Sequence, residues 1–138
     1  MNKTFTTKIT HYYGNIVRGI FITVAVILLI GLPQVTHLLQ IPSFFAFCMI
    51  ITLGIAAGIT NPVQSESMVL NMYVSGVGLM LFAYLNWVFY FTNVTGFVFS
   101  LNQVIAVLFL IALYFSIKTF RGYKLSNRIT IDTINETI

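Results

Sequence analysis

From Gly19 to Ile117 the chain carries one formal charge, Glu66. That is too few for a soluble domain, since about 25% of an ordinary soluble chain is charged. Here the charged share is 7%, hydrophobic residues make up 58%, and the mean hydropathy is +0.93. The composition excludes a soluble enzyme domain, a nucleic-acid binder and a disordered acidic tail. It points to an integral membrane protein, read as an all-α four-helix bundle of the up-down-up-down type.

The remaining charges gather at the two ends. Lys3, Lys8 and Arg18 precede the apolar region, and Lys118, Arg121, Lys124 and Arg128 follow it. The pI of 9.4 therefore reflects flanking anchors and not a nucleic-acid surface, which would interleave a basic cluster with stacking aromatics. At 138 residues the chain is one domain. A crossing helix needs about 20 apolar residues, so it has room for four crossings and little else.

Residues 1–15 are expected to form a short cytoplasmic or interfacial lead. The first span covers about 16–32, and Pro33 predicts an end or bend near Leu32 because it cannot continue the hydrogen-bond ladder. A cleaved signal peptide is disfavoured, since no A-x-A-like site follows that span. The connection 33–42, PQVTHLLQIP, is apolar enough to lie on the membrane surface. The second span covers about 43–60. Asn61 and Pro62 suit an N-cap and a first helical position, with Gln64 completing a capping-box pattern. A third span over 62–91 then forms a tight hairpin with the second. Ser65 is an alternative cap, and either start puts Glu66 in the first turn, where the helix dipole favours a carboxylate. The fourth span covers about 97–117. A basic and then polar tail, 118–138, shows no strong period.

The positive-inside rule sets the orientation. Arg18, Lys118, Arg121, Lys124 and Arg128 act as topology anchors, and the inter-span loops have no Lys or Arg. Both termini are expected on the cytoplasmic side. Trp87 and Tyr90 then mark the outer aromatic belt, and Tyr12, Tyr13, Tyr114 and Tyr123 the inner one. The default compartment is the bacterial inner membrane.

Packing residues are the most readable signals. Gly54 and Gly58 form a GxxxG strip, which lets another backbone approach closely. Its expected partner is a helix of the same chain; a homodimer contact is the alternative. Ser67, Asn71, Ser75, Gly78, Phe82 and Asn86 recur at steps of three or four along one stripe of the third helix. A polar and small-residue seam is the first expectation, a pore lining the second. Hairpin geometry puts Asn71 level with Thr52. It also puts Asn86 level with Asn102 and Gln103, giving two candidate polar clamps. Thr52, Gly54, Gly58, Asn71, Ser75 and Gly78 are thus the expected packing residues, and Asn86, Asn102 and Gln103 the outer clamp.

The chemistry of an active site is hard to assemble. His11 and His37 fall on opposite sides of the expected membrane, with no Cys or carboxylate spaced near either, so no metal or cofactor is expected. Cys48 cannot form an intrachain disulfide and acts as a small hydrophobe. No HExxH, GxSxG or phosphate loop occurs. A small four-helix drug/proton antiporter would carry an embedded acid in its first helix, and none is present. Asn93-Val-Thr95 matches a glycosylation sequon by chance.

The leading expectation is a non-enzymatic structural or accessory subunit. It would act through helix packing in the lipid bilayer, with a homo-oligomer or a larger membrane protein as partner and no nucleic acid. The alternative is a small oligomeric channel or carrier subunit, with Asn71, Ser75 and Asn86 of the third helix lining a path between protomers. A third is a membrane enzyme with an unrecognised site.

Overall fold

The computed structural model describes residues 13–39, 43–59, 65–93 and 96–135. They form four helices and nothing else but short turns: α1 Gly14–Leu39, α2 Ser43–Ile59, α3 Ser65–Phe91 and α4 Phe97–Asn135. Three contain stretches long and apolar enough to cross a membrane: Gly14–Gln34, Glu66–Phe91 and Phe97–Leu125. The apolar segment of α2, Phe44–Ile59, is shorter. With 17 residues and a rise of 1.5 Å per residue, α2 is about 25 Å long, against a hydrocarbon core of about 30 Å.

Two helix ends differ from expectation. Sequence predicts an end or bend near Leu32, yet α1 runs on to Leu39 with Pro33 inside it. An apolar environment leaves a freed carbonyl no water to turn to, so intrahelical bonding stays the best choice on either side of the proline. The apolar connection is thereby mostly helix; residues 40–42 lie outside the described residues. Likewise, α4 does not stop near Ile117 but continues through Gly122 to Asn135. No proline interrupts it, and once nucleated a helix gains one hydrogen bond per residue added. At 39 residues it is about 58 Å long, far more than one crossing needs.

The other boundaries follow local chemistry. The Tyr13 carbonyl accepts from Ile16 and Val17 at the start of α1. The described part of α3 runs from Ser65 with Glu66 in its first turn; the Asn61-Pro62 signal lies outside the described residues. At its far end the Thr92 N–H and hydroxyl both donate to the Val88 carbonyl, and Asn93 takes φ 52°, a left-handed position that Asn tolerates. Gly96 follows at φ 95°, where only glycine is free of a Cβ clash.

The four helices do not close evenly. Helix α4 packs against both α3 and α1, α1 also packs against α2, and α2 barely touches α3. The order around the bundle is α2–α1–α4–α3, with a gap between the first and the last. The core lies where α1, α3 and α4 meet. Phe109 is its centre, 5.6 Å from the Phe82 ring and 6.4 Å from the Phe21 ring. Val17, Val24, Ile105 and Ala112 are buried around these rings, and Leu53, Ala56 and Ala57 bring α2 against the same core. The outer surface is apolar: Ile30, Phe44, Met80, Trp87 and Tyr90 are all exposed. That is the reverse of a soluble protein, where contiguous apolar patches are small.

Candidate functional site

The stripe predicted on α3 is a buried seam. Ser67, Asn71, Ser75 and Phe82 are all buried, and Gly78 meets α4 directly. A Cβ built on Gly78 would sit 2.5 Å from the Phe109 ring, so the glycine is the hollow that admits this ring. Residue numbers rise along α3 as they fall along α4: Gly78 meets Phe109, and Phe82 meets Asn102. At Gly78 the Phe109 ring fills the seam.

The polar groups divide by chemistry. Hydroxyls bond within their own helix. Ser75 donates to the Asn71 carbonyl at 2.7 Å, Ser116 to Ala112 at 2.8 Å and Thr119 to Phe115 at 2.8 Å. Thr52 donates to the Cys48 carbonyl at 2.8 Å. In an apolar surrounding the carbonyl four residues back is the nearest acceptor, and a short hydroxyl reaches it. Asparagine amides cannot satisfy themselves so simply. Asn102 donates its Nδ2 across to the Phe82 carbonyl of α3 at 3.1 Å. That same carbonyl is the helical acceptor for the Asn86 N–H, so one oxygen serves both helices. The Oδ1 atoms of Asn71 and Asn86 are buried with no hydrogen-bond partner.

The expected clamps therefore differ in their members. Asn102 reaches across, but to a backbone carbonyl and not to the Asn86 side chain. Gln103 is exposed, because the next residue on a helix turns 100° away. Thr52 is exposed on α2, bonded within its own helix, and makes no hydrogen bond to Asn71. Gly54 and Gly58 are also exposed, with nothing within 4 Å of where a Cβ would stand. Among the described residues their strip packs on no other helix, because α2 turns Leu53, Ala56 and Ala57 inward instead.

At the basic end, α1 is tied to α4 by aromatic contacts. The Lys118 ammonium lies 4.8 Å from the Tyr13 ring centroid and 6.0 Å from that of Tyr114, within cation–π range. The Tyr13 ring is 5.2 Å from Phe115. Arg18, Arg121, Lys124 and Arg128 are exposed.

The gap between α2 and α3 opens a cavity of about 640 Å³ lined by all four helices. Ile27 and Gly31 of α1, Met49 of α2, Leu85 of α3 and Ile105 of α4 line its depth. Phe45 and Tyr73, Val77 and Tyr84 stand at its exposed rim. The wall is almost wholly apolar; the Asn102 amide that reaches it is already bonded to Phe82. Sequence periodicity does not reveal this cavity, since it depends on which two helices fail to meet. Among the described residues no group of three or more His, Cys, Asp or Glu side chains could hold a metal ion. His11 lies outside the described residues, and the His37 side chain is likewise not described.

No protein-family model, curated protein or solved structure matches this chain.

Proposed function

We propose that this protein is a multi-pass membrane protein with four crossings and both termini on the cytoplasmic side, acting as a non-enzymatic accessory subunit through helix packing. The observation that carries the proposal is the incomplete wall beside α2. Helices α2 and α3 leave an apolar gap, and the outward strip at Gly54 and Gly58 has no partner among the described residues. Small-residue strips in membrane helices favour close approach of a second helix. The short length of α2 favours the same outcome, because a span shorter than the hydrocarbon core is accommodated by thinning the bilayer or by oligomerising. The inside–inside orientation rests on the basic ends and the charge-free loops.

Isolation at native expression in mild detergent, with mass measurement, tests the proposal. The expected species is heavier than the 15.5 kDa chain and contains a second membrane-spanning protein or a second copy. Gly54→Leu with Gly58→Leu releases that partner. A single chain with no retained protein overturns the accessory reading. Reporter fusions at each terminus test the orientation, and opposite signals from the two ends overturn it.

A second reading is favoured by the cavity itself. Its volume and apolar wall suit an acyl chain or another apolar molecule, as in a carrier subunit. In that case the mass measurement finds a retained lipid or apolar compound, and Val77→Trp, which fills the rim, removes it. The seam on α3 gives less support to a channel, because Ser75 and Asn71 are buried.

A further inference from the structure

At the basic end of the bundle, on the other side of the core from the large cavity, lies a void of about 10 Å³. Gly14 and Val17 of α1, Met68 and Asn71 of α3, and Ser116 and Thr119 of α4 line it. Asn71 is only 5% exposed and its Oδ1 has no partner. The other two polar side chains have committed their hydrogens: Ser116 donates to Ala112 and Thr119 to Phe115. Their oxygens keep lone pairs. The residues around the void thus include three that carry a hydrogen-bond acceptor, on two helices.

A buried acceptor with no partner is costly, more so at membrane depth. A void of roughly 10–15 Å³ holds one water, provided two or more polar groups surround it. We propose that this niche binds a single water molecule. One O–H donates to Asn71 Oδ1 and the other to the Ser116 or Thr119 hydroxyl oxygen, so the water joins α3 to α4 beside the start of α1. A cation would also meet three acceptors. It would bring an uncompensated charge, however, since none of the residues lining the void is a carboxylate and burying an ion unpaired is far more costly than burying water.

The niche also accounts for Asn at position 71. A hydroxyl there would bond back to its own helix, as Ser75 does; an amide offers an acceptor that the helix does not use.

The experiment is a water–protein NOE measurement on the full chain in detergent, with methyl-labelled methionine. A long-lived water gives a cross-peak between the water resonance and the Met68 methyl group. Asn71→Leu is expected to remove it while the rest of the spectrum is retained. If Asn71→Leu does not fold, Ser116→Ala serves, with a weakened cross-peak expected. Absence of the cross-peak in the unchanged protein overturns the proposal, as does its persistence at full strength in both variants. A double-mutant cycle on Asn71→Leu and Ser116→Ala gives an independent readout. Asn71 Oδ1 bonds directly to neither Ser116 nor Thr119, so a shared water predicts a coupling of about threefold in the folding equilibrium with Ser116→Ala or, in a second cycle, with Thr119→Val, and zero coupling in both cycles overturns it. Unfolding in sodium and in choline chloride is expected to coincide. A shift specific to sodium identifies a cation in the niche and overturns the assignment to water.

Discussion

The seam between α3 and α4 and the flank formed by α2 are built from similar residues, yet one is closed and the other open. On the seam a glycine faces a phenyl ring: Gly78 is the hollow and Phe109 the projection. Phe82 stacks on that ring, and Asn102 bonds across to the Phe82 carbonyl. On the flank, Gly54 and Gly58 face no projection at all, and α2 meets α3 across little more than a gap. A glycine pair is thus only half of a contact. Without a hydrophobic driving force between helices in lipid, close packing needs a matching surface, and only the seam has both sides within one chain.

Phe109→Ala should have the largest effect on this contrast. It empties the centre of the seam, with an expected loss of about 3–5 kcal/mol, measured as unfolding in detergent. A loss similar to that from removing an exposed ring such as Tyr84 would mean that the seam is not the core. Gly78→Ala comes next. The added methyl meets a ring that Phe21 and Phe82 hold in place, so overpacking should cost about 1–3 kcal/mol. Asn102→Leu removes one cross-helix hydrogen bond but leaves the Phe82 carbonyl its helical partner. The expected loss is about 0.6 kcal/mol; a loss of several kcal/mol would show that Asn102 has a further partner. The smallest effect is at the flank. Gly54→Ala and Gly58→Ala should change the stability of the isolated chain by no more than about 0.5 kcal/mol, while the bulkier Leu pair disrupts co-purification with a partner. If alanine at 54 or 58 destabilised the isolated chain as much as alanine at 78, the contrast between the two regions would fail.

Much of the fold is legible in the sequence. The helical segments of α2 and α3 follow from apolar run length. The stripe from Ser67 to Phe82 falls on one face because its spacing matches the helical period, and it is buried as a seam should be. What was not legible has definite causes. Pro33 reads as an end or a bend because it removes one bond of the helical ladder, and the sequence does not say which; α1 does not end there. The extension of α4 past Ile117 has no apolar period to announce it. Gln103 seemed equivalent to Asn102 because level along the axis was known and angle about it was not. Helix α2 is apolar almost all round, so nothing in its sequence says which face turns inward.

The sequence by itself determined that this chain is helical and apolar, where its helices sit, and which end is basic. These are local or additive properties: period, run length, capping and charge. Only the tertiary structure decided that Gly78 receives Phe109 while Gly54 and Gly58 receive nothing, that Asn102 finds a carbonyl instead of an amide, and that α2 stands apart from α3. Those outcomes depend on the relative rotation of whole helices. In a chain apolar on nearly every face, shape complementarity fixes that rotation, since no hydrophobic face competes with a polar one to set it.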